Sequence, residues 1–554
     1  MHLPRLFQRR TIRSDAVAGV VLGVESVPDG LAGGLLAGVN PVYGLYAYMV
    51  GTFAGGLATS SAFMAVQATG AMAIVIADVD RVTGGDSSAL FTLSLMTGAI
   101  MLVAGLLRLG TVLRFVSNAV VVGFINAVGI NIILGQLSNF TGYAATGGNR
   151  VTRAIDTVLS PRSLDWPTVA VGAATIVLIV LLERTPLKAL GMVVAIVVTS
   201  AATVVFGLDS VERLDDIADI PRSLPLPQWP EFRAVFELII PALSLAFVGL
   251  VQGAAISANF TNPDGTYPDA SRDFAGQGVA NLACGMLQAM PVGGSMSGTS
   301  LVKSAGAKSR QALIIASAVM AAVILLLGDV VGYIAMPALA GLLMLIGFRT
   351  VKPTQIVSVW RSSVVSAAVL SVTFVLTMLI PLQYAVLAGV GLSVVLRVIQ
   401  QSNQVKVVQR RFEPDGRMVE TDPPATVPPG EVLVLQPYGS LFFASAPVFK
   451  AALPEVTPES VGSVVILRLR GRTDLGSTFL DVLKRYATEL HNTGSKLVVV
   501  SADERLQEQF VVTGLTAVVG SENVYERDEW VGASLRRAHD DAKAWVAAQR
   551  PDAG

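Results

Sequence analysis

Long apolar runs separated by short polar loops occupy the chain up to about position 400. They fall at 15–37, 42–59, 88–107, 111–137, 166–182, 187–207, 235–256, 275–290, 311–328, 330–348, 363–380 and 383–400. Most approach the ~20 residues that a helix needs to cross a hydrocarbon core. Two shorter stretches, about 68–80 and about 296–304, bring the number of segments to about fourteen. Beyond them the pattern changes. Residues 401–430 are polar and proline-rich, with Arg410, Arg411, Pro423, Pro424, Pro428 and Pro429, and read as a connection. From Glu431 short buried strands are predicted at Val432–Leu435, Ser463–Leu467 and Lys496–Val500. Amphipathic helices are predicted at Thr478–Asn492 and Asp528–Gln549. The division is therefore a terminal segment 1–14, a transmembrane region 15–400, a linker 401–430 and a small α/β domain 431–550.

The charges fix the parity of the crossings. Arg5, Arg9, Arg10 and Arg13 precede the first run, and no small-residue cleavage site follows it, so a retained cytoplasmic N-terminus is expected. Arg108 and Arg114 follow the fourth segment, and Arg184 and Lys188 the sixth. Lys303, Lys308 and Arg310 follow the tenth, and Arg349, Lys352 and Arg361 the twelfth. All then share the side of the N-terminus, as the excess of basic residues in cytoplasmic loops requires. The loop at 208–233 falls on the other side and is acidic, with Asp209, Glu212, Asp215, Asp216 and Asp219. Removing either short segment would reverse everything downstream. The reading is a multi-pass protein of the cell membrane with both its N-terminus and its C-terminal domain in the cytoplasm.

Composition agrees and narrows the function classes. The 554 residues are 52% hydrophobic and 14% charged, with a mean hydropathy of +0.61, as a polytopic protein in a lipid bilayer requires. The formal net charge is zero, so bulk electrostatics offer nothing to nucleic acid. Cys284 is the single cysteine, and His2, His491 and His539 all lie outside the apolar runs. Disulfide frameworks, cysteine metal clusters and intramembrane histidine relays are excluded. Gly293-Gly294 lacks phosphate-loop spacing, and no Gly-Lys-Ser/Thr follows, so no enzyme or ATP-driven pump is expected.

The candidate chemistry lies in Pro291-Val-Gly-Gly-Ser-Met-Ser-Gly-Thr-Ser300. Non-helical backbone at bilayer depth survives only where it is buried in protein or lines a wet cavity. Pro291 stops the preceding helix, and Ser295, Ser297 and Thr299 are natural caps for the next one. Such a helix start aims free N–H groups and a partial positive charge at an anion without a cationic side chain. Ala65-Val-Gln-Ala-Thr-Gly70 introduces the other short segment. Each is the third member of a set of about seven, so the two sets run inverted to one another, and interrupted helices at matching places mark a transporter site. Glu25 and Asp29, four apart on the first segment, share a helix face unless Pro28 breaks it, and intramembrane acids mark ion paths. Gln252 places a neutral amide at similar depth on the eighth segment. Asp78, Asp80 and Asp329 read as solvated acids.

Asp15-Ala-Val-Ala-Gly-Val, Val27-Pro-Asp-Gly-Leu-Ala and Leu36-Ala-Gly-Val-Asn-Pro-Val-Tyr-Gly-Leu-Tyr46 resemble the opening signature of the sulfate permease family of anion transporters, and the resemblance covers nearly the whole chain. It implies a polytopic α-helical membrane protein of seven plus seven inverted segments, divided into core and gate, with a small cytosolic STAS domain. It implies an anion site formed by Gln67, Ala68, Thr69, Gln252, Gly294, Ser295, Met296 and Ser297, with Asp29 beside it. Many members resemble this chain yet carry glutamine at the position of Asp29, where some have an acid; many carry an acid at that of Gln252, and several carry arginine at that of Gly298. The acid and the amide are exchanged here, and one cation is missing. A charged Asp29 beside an anion is unfavourable, so Asp29, with Glu25, is expected to hold a coupling proton or sodium ion during symport. No other cofactor is expected.

Gly439-Ser-Leu-Phe-Phe-Ala444 resembles the STAS domain that follows these transporters. The serine that is phosphorylated in related domains corresponds to Ser477, but Gly476 stands where an aspartate is expected, so Ser477 reads as a helix cap. The resemblance suggests a homodimer and regulatory protein partners for this domain. Exchange of chloride for bicarbonate, an anion channel, and a transport-inactive regulator remain as alternatives to symport.

Overall fold

The computed structural model describes residues 11–109, 117–187, 190–218, 222–413, 417–469, 471–472, 475–530 and 532–549. His2, Arg5, Arg9, Arg10, Arg114, Lys188 and Asp219, used above, lie outside the described residues. The chain forms two compact units, 1–393 and 394–554.

The first unit is helical. Its elements are α1 (Ile12–Leu36), α2 (Pro41–Ala58), β1 (Ala65–Gln67), α3 (Gly70–Ala77), α4 (Asp80–Thr83), α5 (Ser87–Leu106), α6 (Asn118–Gly135), α7 (Leu137–Thr141), α8 (Arg150–Leu159), α9 (Trp166–Leu182) and α10 (Leu190–Val205). After the acidic loop, which holds α11 (Leu214–Ile217), come α12 (Val235–Asn259), α13 (Ala270–Met286), β2 (Gly293–Ser295), α14 (Met296–Ser304), α15 (Gln311–Gly332), α16 (Met336–Thr350), α17 (Pro353–Ser362), α18 (Val364–Leu379) and α19 (Leu382–Ser402). The apolar runs predicted these spans closely, because side-chain caps set their starts. Asn40, Asp86, Ser117, Asp165, Asp269 and Ser363 each accept a first-turn N–H.

Glu25 and Asp29 share an unbroken helix, as their spacing of four predicts. α1 runs through Pro28, which is buried inside the helix. Close packing against α2 supports this stretch. A Cβ on Gly44 would stand 2.1 Å from the Gly30 carbonyl oxygen, so the two backbones touch where only glycine fits.

Packing divides the helices into two bundles. α1, α2, α3, α5, α12, α13, α14 and α15 pack together, and α6, α9, α10, α16 and α18 form the other. The first bundle takes the opening four segments of each set of seven, and the second takes the remainder. That division is the one expected of an inverted repeat. The bundles meet where α1 lies on α10 and α16, and where α3 lies on α6.

The second unit is a six-stranded sheet in the order β4 (Met418–Thr421), β3 (Lys406–Phe412), β5 (Val432–Tyr438), β6 (Val464–Arg468), β7 (Lys496–Ala502), β8 (Val524–Glu526). Strands β5 to β8 are parallel, and β3 and β4 add antiparallel. The expected linker at 401–430 is therefore corrected, since it contains two strands of this sheet. Val407 and Val408 are buried there and pair with Pro437 and Gln436 of β5. The prolines that suggested a connection all lie after β4. One sheet face packs on α21 (Ser477–Asn492), α20 (Ala446–Ala452), α22 (Glu504–Val512) and α23 (Leu515–Val519). The other takes α24 (Ala533–Gln549) through Leu535, Ala538, Ala542 and Val546. Ser477 is not the cap that the sequence suggested. Gly476 holds that position, and no side chain bonds the first turn.

Candidate functional site

The two short segments are half-helices, each introduced by an extended stretch. β1 and β2 pair antiparallel, with Ala65 opposite Ser295, Val66 opposite Gly294 and Gln67 opposite Gly293. The chain thus satisfies much of its non-helical backbone internally, as bilayer depth demands. α3 and α14 begin immediately beyond this crossing. Thr69 caps α3 and accepts from Met72 N, and Ser295 caps α14 and accepts from Gly298 N at 3.1 Å. The first-turn N–H groups of Gly70, Ala71, Met296 and Ser297 have no acceptor within their own helices. Two helix N-termini at one crossing form a seat for negative charge.

The predicted residues separate into those that face open space and those that brace. Met296 is 41% exposed, Ser297 is exposed, and Thr69 and Gln252 are half-buried. The Thr69 hydroxyl donates to Gln252 Oε1 at 3.0 Å, which joins α3 to α12. Gln67, Ala68, Gly294 and Ser295 are buried. Gln67 donates from Nε2 to Ser26 Oγ at 3.0 Å. Its Oε1 fills the place where a side chain at residue 298 would begin, 2.4 Å from an ideal Cβ on Gly298. The missing arginine therefore corresponds to a space already taken by an amide. The Gly294 N–H is already used, donating to Gln277 Oε1 at 2.9 Å.

Asp29 and Glu25 lie on the unbroken α1 and interact electrostatically with one another. Oδ1 of Asp29 is buried and has no hydrogen-bond partner. Tyr48 of α2 is buried within the field of both acids. A buried carboxylate oxygen without a donor is costly unless a proton or cation accompanies it.

Several supporting residues escaped the sequence reading. Asn281 on α13 accepts from Val292 N at 2.9 Å and donates to Val292 O at 2.7 Å, holding the approach to β2 from both sides. Gln277, one turn earlier, holds Gly294. Two amides four apart in an otherwise apolar run were the available signal. Thr299 accepts from Ala65 N at 3.1 Å and ties α14 to β1. Two buried acids are structural. Asp15 accepts from Lys308 N, Ser309 N and Ser309 Oγ. Asp273 accepts from Ser60 N, Ser61 N and the hydroxyls of Ser60 and Ser257. The expectation that Asp78 is solvated is corrected, because it pairs with Arg150 at 2.8 Å and its side chain is 13% exposed. Asp329 is exposed and pairs with Arg222.

Residues 12–373 match the model of the sulfate permease family, and residues 423–529 match that of the STAS domain. The chain belongs to the sulfate permease family. Sulfate permeases similar to it include a probable sulfate transporter of Mycobacterium tuberculosis, 26% identical over 94% of this chain and 95% of the relative. The putative sulfate transporter YvdB of Bacillus subtilis is 24% identical over 95% and 98%. Among solved structures, the murine solute carrier 26 family member A9 anion transporter in the inward-facing state superposes with a TM-score of 0.85. It is 19% identical and matches 98% of this chain and 93% of its own. This likeness establishes the fold, a sulfate permease membrane domain followed by a STAS domain.

Proposed function

We propose that this sulfate permease is a secondary active carrier of small anions, sulfate or bicarbonate among them, driven by a proton or sodium gradient. The observation that carries the reading is the crossing of β1 and β2, which points the N-termini of α3 and α14 into one space. An anion there receives first-turn N–H groups of both half-helices and hydroxyls of Thr69 and Ser297. Gln67, Ala68, Gly294 and Ser295 shape the seat from behind, while Gln252 and Met296 border it. Names of the bacterial relatives favour sulfate. Asp29 is the coupling residue, with Glu25 one turn away on the same helix. With its unpartnered oxygen neutralised, the seat keeps its positive potential, and bare, it repels the anion. Release of proton and anion to the same side makes the cycle a symport.

The two bundles supply the moving parts of alternating access, with the seat in the first bundle facing the second. The basic ends of α14, α15 and α16 face the cytoplasm, and so do the N-terminus and the STAS unit, which serves dimerisation or regulation. The test is uptake of radiolabelled sulfate, bicarbonate, chloride and nitrate into proteoliposomes, with and without proton and sodium gradients. Gradient-dependent, saturable uptake that loses its coupling in Asp29→Asn is expected. Coupling that persists in that variant removes Asp29 from the role. Large uncoupled anion currents replace the carrier by a channel, and anion-for-anion exchange replaces symport.

A further inference from the structure

At the end of the transmembrane unit where α3 terminates, the two bundles are joined by an ion pair. α3 ends at Asp78. An acid there faces the negative end of the helix dipole and is unfavourable without a cation. The cation is Arg150, the first residue of α8, whose Nη2 stands 2.8 Å from Asp78 Oδ1. The side chains are only 19% and 13% exposed, so the pair is screened far less than one in open solvent.

The partners belong to different bundles. α3 packs on α1 and α12, whereas α8 packs on α6, α7 and α18. Arg150 is held stiffly. Asn149 and Thr152 form a reciprocal cap around the start of α8. Asp156 on the same helix accepts from Tyr143 and twice from Thr146, tying down the preceding loop. Two buried apolar side chains lie beside the first turn of the half-helix that ends at Asp78. Leu36 of α1 and Ile132 of α6 are 6% and 2% exposed, and both approach Gly70 at the first turn of α3. Leu36 and Arg150 both reach the surroundings of Gly135 on α6. Buried apolar side chains and the ion pair thus both lie where α1, α3, α6 and α8 come together.

The opposite end differs. Arg349 binds Glu183 through two bonds, at 2.8 and 2.5 Å, and both residues belong to the second bundle. Across the interface stands Glu25 of the first bundle, within the field of Glu183. The Arg349–Glu183 pair lies within one bundle, whereas the pair at the α3 end joins the two.

We infer that the Asp78–Arg150 pair, with Leu36 and Ile132 beside the same half-helix, is a latch that shuts the α3 end of the anion path and must part before the seat opens to that side. The inference deepens the alternating-access reading and rests on it. The coupling is physical, because the latch grips the C-terminus of the half-helix whose N-terminus forms the seat. Opening requires the second bundle to withdraw α6 and α8 from α3, which breaks a shielded ion pair and exposes two apolar side chains.

The test uses the full-length chain in proteoliposomes, with Cys284→Ala as background. Asp78→Cys with Arg150→Cys is linked by a short bifunctional methanethiosulfonate reagent, and uptake of radiolabelled sulfate is followed. Linking is expected to lower uptake by about ten-fold or more, reversibly with dithiothreitol. Undiminished uptake by the linked protein overturns the latch. A second arm needs no substrate. Arg150→Ala is expected to speed amide hydrogen exchange in α3 and α6 several-fold, and the exchanged pair Asp78→Arg with Arg150→Asp to restore protection in part. Unchanged exchange in Arg150→Ala also overturns it. If the unsubstituted chain moves no sulfate, the transport reading fails on that anion, and the exchange measurement alone decides the latch.

Discussion

The hydroxyl of Thr69 donates to Oε1 of Gln252 at 3.0 Å, across from one helix of the seat to another. This bond fixes the amide of Gln252, so its Nε2 donors point away from Thr69. The acid of the site is Asp29, on a different helix. Gln252→Glu keeps an acceptor for Thr69 but adds a second acid at the seat, whose charge the proton or cation on Asp29 does not offset. Anion KM at neutral pH is expected to rise about ten-fold or more, from like-charge repulsion of about 1–4 kcal/mol. The double variant Asp29→Gln with Gln252→Glu restores a single acid and is expected to recover most of the affinity. Sulfate uptake kinetics in proteoliposomes check both.

Gly298→Ala introduces a Cβ 2.4 Å from Gln67 Oε1 and 3.1 Å from Ala65 Cβ. Gln67 must leave its bond to Ser26, and the strand carrying it must shift. Overpacking of this kind costs about 1–3 kcal/mol. A lower thermal unfolding midpoint in detergent and weaker sulfate binding are expected together. Loss of stability without any change in binding would place Gln67 outside the seat.

Asn281→Leu leaves both the N–H and the carbonyl of Val292 without their partner in a buried setting. Each orphaned group costs about 1–3 kcal/mol. The β1–β2 crossing is expected to loosen, seen as faster amide exchange at residues 292–295 and a large fall in uptake. Asn281→Asp keeps the acceptor and loses the donor, and is expected to fall between the two.

In the second unit His539 stacks on Phe412 with ring centroids 4.5 Å apart, beside Asp540 on its own helix. Burial and the nearby Lys543 lower its pKa, and Asp540 opposes them. The folded state thus binds this proton less readily than the unfolded chain does. Stability from this group is present above about pH 6.5 and is lost as pH falls below that value. Amide exchange in α24, corrected for the intrinsic rate, is expected to be faster at pH 5 than at pH 7.5. His539→Gln is expected to remove most of that difference.

Much of the fold was legible because it is local. Apolar runs and caps such as Asn40, Asp86 and Asp165 mark where helices start. Pro291 and the hydroxyls after it announced a half-helix. The shared face of Glu25 and Asp29 was legible from their spacing, and α1 runs through Pro28 because neighbouring helices accommodate a buried proline. The segment 401–430 misled because its prolines outweighed the paired valines of β3, whose partner strand lies further along the chain.

By itself the sequence determined the apolar spans, the two interrupted helices and the change to an α/β domain. Each of these follows from periodicity or capping within a few residues. The tertiary structure alone decided that Ala65 meets Thr299, 234 positions away, that Gln67 fills the space beside Gly298, and that Arg150 closes on Asp78. These depend on how distant segments pack, because a hydrogen bond or an ion pair needs both partners in place, and neither partner's neighbours in sequence reveal the other.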